Sequence, residues 1–347
     1  MHIPDGYLSP ETCVVMYGAA APFWYQASRR VKQTLSGRAG PLVAIFAALS
    51  FTIQMFNIPV PGGTTAHAVG GTLMAIVLGP SAAIIGVSVA LVIQAVFFGD
   101  GGITAIGANA FNIAVALPLS GYAVYALLSH GAGPHSRRRI IAAAAGGYVG
   151  INVAGLLVAL ELGLQPVLWS VDGRALYNPY GLAATVPAMA ITHLTIAGFA
   201  EAALTALALA YLLRAHPALF ATAAALPASG ARRAKWPLVA VLAALVLLVP
   251  LGLLAQGSAE FEWGAAELAG LVGYVPAGLG ALEALWQLAP LPGYQWPGPG
   301  GAGVLAQAPG YILSAALGVG LIFMLAFAAR LALSRRGSGP ASGSREG

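Results

Sequence analysis

The feature that most constrains this chain is a series of long apolar runs separated by glycine, proline and clusters of charge. Hydrophobic residues make up 59% of the 347 residues and charged residues only 8%. A soluble domain carries about 25% charged residues, and no soluble core of this size uses so many apolar ones. The sequence therefore predicts an all-α, polytopic membrane protein.

The apolar runs predict about nine transmembrane helices. The candidates cover residues 11–28, 41–57, 66–80, 81–99, 104–128, 141–163, 183–213, 237–257 and 310–333. Several are shorter than the roughly 20 residues that a helix needs to cross a bilayer. The N-terminal segment does not resemble a cleaved signal, because Asp5 and Glu11 precede the first apolar run and no basic residue does.

The charged residues predict the orientation of these helices. With nine spans, 15 of the 16 Lys and Arg residues fall on one side, and Arg174 falls on the other. Lys and Arg collect on the cytoplasmic side of membrane proteins. We therefore expect a protein of the cell membrane with its N-terminus outside and its C-terminus in the cytoplasm. This bias explains the net charge of +5, so the charge is no sign of nucleic-acid binding.

The chain divides into two predicted blocks. Residues 1–213 form a seven-helix block, and the Arg/Ala/Pro-rich residues 214–236 form a cytoplasmic linker. Residues 237–333 form a two-helix block with an outer loop at 258–309, and we expect the tail at 334–347 to be disordered. The single Cys13 excludes internal disulfides and thiolate metal clusters.

Met1 and His2 form a candidate metal chelate at the N-terminus. An amine, the amide nitrogen of residue 2 and its imidazole can close fused five- and six-membered rings around one metal. A nitrogen set of this kind suits square-planar Ni(II) or Cu(II). We expect Met1 to be retained, because initiator Met is trimmed mainly before small residues and His2 is not small.

His2 and His67 both fall on the predicted outer side. His67 ends a Pro/Gly-rich segment, and irregular backbone at membrane depth must line a cavity or be buried in protein. The two imidazoles and the amine could converge there. The alternative is that His2 belongs to a frayed terminus and His67 to a helix end. His130, His135 and His216 fall in basic loops, where solvated side chains are expected.

His193 and Glu201 are eight residues apart within one predicted helix, on a similar face. Ionisable groups inside a membrane are costly and mark functional sites by default. The pair could line a transport path, orient metal ligands or hold helices together through a buried polar contact.

The glycine-rich turn at 98–104 contains Asp100 and is followed by Asn109 and Asn112. A cap on the next helix is the favoured role for Asp100, because a single local carboxylate makes a poor site for a hard cation. Neither lysine, Lys32 nor Lys235, belongs to a phosphate-binding loop motif, so an ATPase that drives transport would be a separate subunit.

Four segments together resemble a known family. They are residues 1–8 (MHIPDGYL), 61–71 (PGGTTAHAVGG), 98–102 with 107–112 (FGDGG, GANAFN), and 192–194 with 201–202 (THL, EA). The resemblance is to the CbiM/NikM substrate-binding components of energy-coupling factor (ECF) transporters for cobalt and nickel, and it covers residues 1–213. Residues 237–333 resemble the small CbiN/NikN partner subunit, fused to the first block. There, Phe261-Glu262-Trp263 replaces a Pro-Asp-Gly-Leu-Glu motif.

The resemblance implies a seven-helix binding component that captures Ni²⁺ or Co²⁺ and holds no permanent cofactor. It implies that the ligands are the Met1 amine, the backbone and ring nitrogens of His2, and the His67 ring. A membrane coupling (T) subunit and cytoplasmic ATPase subunits would be its partners. His193, Glu201, Asn109 and Asp100 stay candidates for a supporting or pathway role.

Three hypotheses about the function follow from these patterns. The first is ATP-driven metal import, in which the loop 258–309 displaces segments of the ligand site during the cycle. The second is an intramembrane enzyme that uses His193 and Glu201, although neither a nucleophile nor a second metal-ligand set is apparent beside them. The third is a passive metal channel, which would not depend on an ATPase.

Overall fold

The computed structural model describes residues 1–36, 40–60, 64–134, 136–220, 228–255, 259–284, 288–296 and 303–337. The chain is mostly helical, so the all-α prediction is confirmed. The α-helices are Pro10–Ser36, Gly40–Gln54, Gly71–Leu78, Pro80–Ile93, Ile106–Asn109, Leu117–Ser129, Arg137–Leu168, Leu182–Thr192, Gly198–Ala215, Ala228–Leu248, Ala265–Val272, Ala277–Glu283 and Val304–Gly337.

Three π-helical stretches extend or join these helices: Gln94–Phe98, Ala110–Ala116 and His193–Ala197. They produce the continuous helices Pro80–Phe98, Ile106–Ser129 and Leu182–Ala215. Such wide turns interrupt the regular backbone ladder and are frequent at functional sites. Short 3₁₀ segments occur at Pro217–Phe220, Val249–Leu254 and Pro292–Tyr294.

Within the described residues, six helices are long and apolar enough to cross a membrane. They are Pro80–Phe98, Ile106–Ser129, Arg137–Leu168, Leu182–Ala215, Trp236–Leu254 and Val304–Leu333. Gly40–Gln54 is apolar but shorter, at 15 residues. The chain is a multi-pass membrane protein, whereas the count of nine crossings stays a prediction.

The candidate helix at 66–80 was wrong in its extent. The structure has a strand at Thr64–Ala66, then an irregular segment, then a helix of only 8 residues at Gly71–Leu78. A helix of that length covers about 12 Å, far less than the bilayer core of about 30 Å. The late start has a backbone cause, since Gly70 has φ +74°, a left-handed conformation that favours glycine.

Two other predicted helices have different bounds, and the predicted outer loop is partly helical. The first helix continues past 28 to Ser36 and includes Arg29, Arg30 and Lys32. Helix Ala228–Leu248 begins inside the predicted linker 214–236, because this Ala- and Arg-containing stretch favours a helix. The loop 258–309 contains two short helices, Ala265–Val272 and Ala277–Glu283.

The last helix includes residues 334–337, which were expected to belong to a disordered tail. Residues 338–347, His135 and Pro61-Gly62-Gly63 lie outside the described part of the chain. On either side of that last gap, strand Ile58–Val60 pairs antiparallel with Thr64–Ala66, and Ile58 lies opposite Ala66. This hairpin leads directly to His67.

Candidate metal-binding site

The N-terminal arm, residues 1–9, is packed inside the protein. Ile3, Tyr7 and Leu8 are at most 1% exposed and belong to one hydrophobic cluster with residues of the helices around them. Burying such side chains contributes roughly 1.5–3 kcal/mol each. His2 is 4% exposed. The frayed-terminus alternative is therefore wrong, because apolar side chains on both sides of His2 anchor the arm.

Asn109 clamps the backbone of the arm. Its Oδ1 accepts a hydrogen bond from the Ile3 amide at 2.8 Å, and its Nδ2 donates to the Ile3 carbonyl at 3.0 Å. The same carbonyl accepts from the Gly102 amide at 2.8 Å. The approach at Gly102 is so close that an added Cβ would lie 2.4 Å from the Asp5 nitrogen. Asn109 is thus a positioning residue for the chain beside His2.

The capping role expected for Asp100 was wrong, because no side chain caps helix Ile106–Asn109 and Asp5 holds the turn that precedes it. The Asp5 carboxylate accepts from the amides of Ile103 at 3.0 Å and Thr104 at 2.8 Å, just before helix Ile106–Asn109. No side chain caps that helix at its own N-cap. Asp100 instead points to the site: its Oδ1 lies 3.2 Å from His2 Nδ1, and its Oδ2 accepts from the Tyr294 hydroxyl.

Glu201 positions the segment that follows His67. The fully buried carboxylate accepts from the Val69 amide at 2.7 Å and from the Gly70 amide at 3.0 Å. These two amides precede helix Gly71–Leu78, where backbone donors need partners and negative charge is favoured. A charge inside a membrane helix is therefore used to hold the His67 segment in place. No hydrogen bond between Glu201 and His193 is present among the described residues.

His67 is held in the form that a metal ligand needs. Its Nδ1 lies 3.1 Å from the Ala68 carbonyl oxygen, which can only accept. Nδ1 therefore carries the hydrogen, and Nε2 has a lone pair. Burial, and next the nearby His2 ring, lower the pKa of His67 well below its usual value, so the ring is neutral at physiological pH. A neutral imidazole is the form that binds metals.

The rings of His2 and His67 stack, with centroids 5.1 Å apart. Both line a cavity of about 570 Å³ whose far wall comes from the C-terminal part of the chain, including Glu262, Tyr294 and Tyr311. Two nitrogens bound at about 2 Å to one metal lie at most about 4 Å apart. The imidazoles predicted from the sequence are thus brought together, on a cavity large enough to admit a small cation.

His193 lies beside this pair. Its Nδ1 is 2.8 Å from the Met189 carbonyl one turn earlier, and its ring packs on Gly155, where a Cβ would lie 2.7 Å from the imidazole Cγ. A small pocket next to the cavity is lined by Met1, His67 and His193 together. His130 and His216 follow helix ends and line neither cavity.

Sequence reasoning missed the groups that hold the N-terminus. Glu262 Oε1 accepts from the Met1 amine at 2.7 Å and from the His2 amide at 2.9 Å. Gln54 Oε1 lies 3.2 Å from His2 Nε2. Met1 and Glu262 are 261 residues apart in the chain. No spacing between nearby residues could predict their contact. The sequence indicated only that Glu262 and His2 lie on the same predicted side of the membrane.

The described residues contain no cluster of three or more His, Cys, Asp and Glu side chains that could hold a metal ion. Near the two imidazoles lie the backbone nitrogens of the arm and the side-chain oxygens of Asp100, Gln54 and Glu262. A set of nitrogen donors like the first group suits Ni(II) and Co(II) better than oxygen-seeking Mg²⁺ or Ca²⁺.

The role of Glu201 leads to a stability prediction. Glu201 Oε2 accepts from both the Val69 and Gly70 amides, and Oε1 lies 3.1 Å from the Gly70 amide. In Glu201→Gln one of these oxygens becomes an NH₂ group, so a buried donor then faces a donor instead of an acceptor. An unsatisfied buried donor costs about 1–3 kcal/mol. We expect a lower melting temperature in detergent and weaker metal binding. Glu11→Gln, on the exposed first turn of helix Pro10–Ser36, is the matched control. Equal melting of both variants would contradict this role.

A family model covers the part of the chain that builds this site. The model described as CbiM, cobalt uptake substrate-specific transmembrane region, matches residues 2–219. The match includes His2, His67, Asn109, His193 and Glu201 and ends before the described helix Ala228–Leu248.

Two curated relatives match more of the chain than this family model does. The fused nickel transport protein NikMN of Rhodobacter capsulatus is 51% identical over 339 residues, which cover 93% of this chain and 95% of the relative. A probable fused nickel transport protein, LarMN, of Lactiplantibacillus plantarum is 46% identical over 77% of this chain and 79% of the relative. A putative metal transport protein of Methanocaldococcus jannaschii is 48% identical over 63% of this chain and 95% of its own length.

A solved structure agrees in fold. A truncated transition metal transporter superposes with a TM-score of 0.58 at 51% identity, covering 62% of this chain and 99% of that chain. These relatives are transporters rather than enzymes, which decides against the intramembrane enzyme built on His193 and Glu201. A buried arm clamped by Asn109, an imidazole pair and a match over residues 2–219 lead to one conclusion: the chain belongs to the CbiM family of transmembrane proteins for cobalt uptake.

Proposed function

We propose that this chain is the substrate-capture subunit of an ATP-driven importer of Ni²⁺ or Co²⁺. The observation that carries the proposal is that two buried imidazoles, His2 and His67, stack on one cavity, while Met1 and His67 line the small pocket beside it. The resemblance to named nickel and cobalt transport proteins supports the choice of metals.

The proposed ligands are the Met1 amine, the His2 amide nitrogen, His2 Nδ1 and His67 Nε2. Four nitrogens in a plane satisfy Ni(II) well, and the Irving–Williams order favours nickel over cobalt only mildly. His67 needs to lose no proton to bind, because its pKa is lowered by burial. Metal binding at His2 Nδ1 requires the ring to leave Asp100, which lies 3.2 Å away in the structure.

Around this site, Asn109 holds the arm and Glu201 holds the His67 segment. We assign a positioning role to both residues. We place His193 in the wall of the small pocket that Met1 also lines. The division into a metal-binding domain (1–213), a linker (214–236) and a CbiN/NikN-like domain (237–333) remains part of the proposal. It is supported by the family match, which ends at residue 219.

We propose that the N-terminus lies outside and the C-terminus in the cytoplasm, in line with the distribution of Lys and Arg. The metal would then bind from the outside. Energy would come from a membrane coupling (T) subunit and cytoplasmic ATPase subunits, since neither lysine of this sequence belongs to a phosphate-binding loop.

Cellular uptake separates this proposal from a passive channel. Cells that produce this chain with its coupling and ATPase subunits are expected to accumulate Ni²⁺ or Co²⁺. A hydrolysis-deficient ATPase should abolish uptake, while metal analysis of the purified chain with an intact N-terminus still finds about one bound metal ion. Uptake that continues at the same rate without ATP hydrolysis would support the channel and contradict the proposal.

A further inference from the structure

One carboxylate of the C-terminal part of the chain engages two of the proposed ligand atoms. Glu262 Oε1 lies 2.7 Å from the Met1 amine and 2.9 Å from the His2 amide nitrogen. A backbone amide nitrogen gives up its hydrogen when it binds a metal, so the His2 amide cannot donate to Glu262 and coordinate a metal at the same time. The Met1 amine must also lose one proton to bind, and with it the positive charge that strengthens its hydrogen bond to the carboxylate.

The third nitrogen of the chelate is engaged in a similar way. His2 Nδ1 lies 3.2 Å from Asp100 Oδ1, and the other oxygen of Asp100 accepts from the Tyr294 hydroxyl. Tyr294 also belongs to the C-terminal part. Its ring stacks on Phe98 at a centroid distance of 4.6 Å. The C-terminal part thus reaches all three nitrogens, directly through Glu262 and indirectly through Tyr294 and Asp100.

Contacts on both sides of Glu262 aim its carboxylate at the arm. The Glu260 amide donates to the Thr64 hydroxyl at 2.8 Å, and the Trp263 carbonyl accepts from the Tyr7 hydroxyl at 2.7 Å. Phe261, with φ +63°, is buried against Tyr180 and Trp263. The Glu262 side chain is only 22% exposed and the Met1 side chain 3%. This arrangement differs from a surface ion pair, whose two side chains are held by little else.

We propose that Glu262 competes with the metal for the N-terminal nitrogens, because a metal that binds the His2 amide must displace the hydrogen bond from that amide to Glu262. The inference rests on the proposed function and adds a competitor that sets metal affinity. Because metal coordination at the His2 amide and its contact with Glu262 exclude each other, the coupling is reciprocal. Metal releases the segment 259–264 from the arm, and any movement that presses the segment back onto the arm favours metal release.

Isothermal titration of the purified full chain with Ni²⁺ tests the proposal. Glu262→Gln keeps the shape but loses the charge that strengthens both hydrogen bonds, and we expect roughly tenfold tighter binding. Glu283→Gln is the matched control: it lies in the same part of the chain, and its carboxylate contacts the Ala265 amide at 3.3 Å rather than the arm. We expect its affinity to equal that of the wild type.

The outcomes separate the two proposals. Failure of the wild type to bind Ni²⁺ overturns the proposed function and this inference together. Binding by the wild type, with equal or weaker binding by Glu262→Gln, overturns this inference alone, because a carboxylate that attracts or ligates the metal, or only holds the arm, gives that result.

A second measurement needs no change at Glu262. Trp263 adjoins it, so displacement of the segment should alter the Trp263 fluorescence when Ni²⁺ binds. The change is expected in the wild type and should be lost in Trp263→Phe, which keeps the backbone carbonyl that Tyr7 contacts. A protein that binds Ni²⁺ with the same fluorescence change in wild type and Trp263→Phe contradicts displacement of the segment.

Discussion

Insertion of one alanine between Met1 and His2 is expected to lower the affinity for Ni²⁺ by more than about 100-fold. Even partners that only support metal ligands are worth about 10–100-fold in affinity, and this insertion enlarges the ring that joins the amine to the His2 nitrogens. The arm cannot slide to compensate, because Asn109 clamps Ile3 on both sides of its backbone and Leu8 is fully buried. Isothermal titration of the purified chain measures the effect.

The control for this insertion is an alanine added after Gly131, in the turn that follows helix Leu117–Ser129. Gly131 has open space around it, so the extra residue should leave Ni²⁺ affinity unchanged. Met-Ala-His can itself offer Ni²⁺ four nitrogens, from its amine, two amides and imidazole, so any retained affinity is measured again in the insertion variant that also carries His67→Ala. Wild-type affinity that still depends on His67 would exclude the N-terminal chelate and move the site elsewhere in the cavity.

Replacement of His67 by alanine is expected to abolish tight Ni²⁺ binding. The His67 ring is the one side-chain ligand of the proposed set that comes from outside the arm, and the Ala68 carbonyl holds it with Nε2 available. Without this ring the metal keeps only the three nitrogens of Met1 and His2, with an open position that water fills. Titration with Ni²⁺ and uptake in cells should both report the loss.

His216→Ala is the control for His67→Ala. His216 follows the end of helix Gly198–Ala215 and contacts Tyr211, away from the cavity. Removing it should leave binding intact. Retained affinity in His67→Ala, with an unchanged melting temperature, would show that the His2–His67 pair is a packing contact rather than a ligand pair.

The predictions from local pattern agree best with the structure. Hydropathy indicated a helical membrane protein because it sums the properties of neighbouring residues, and the strongest runs, such as 81–99 and 183–213, correspond to long helices. The run 66–80 was misread, since the start of its helix depends on Gly70 and on contacts with Glu201 far along the chain.

The candidate site shows the same division. Met1, His2 and His67 were chosen from chelate chemistry and resemblance. The structure places His2 and His67 on the large cavity, and Met1 and His67 on the small pocket beside it. Asp100 was expected to cap a helix, but its carboxylate instead faces His2 and Tyr294, and Asp5 holds the turn before that helix. Glu262 was recognised only as an acidic residue on the outer side, because its contacts with Met1 and His2 arise from folding alone.

The sequence by itself determined the membrane class, most of the helices and the types of nitrogen donor, because hydropathy and coordination chemistry reside in single residues and their neighbours. Only the tertiary structure decided which groups face those donors. Glu201 and Asn109 position them, and Asp100 and Glu262 occupy them. The physical reason is that a hydrogen bond depends on distances of about 3 Å, and residues 261 positions apart meet at that distance only after the chain has packed.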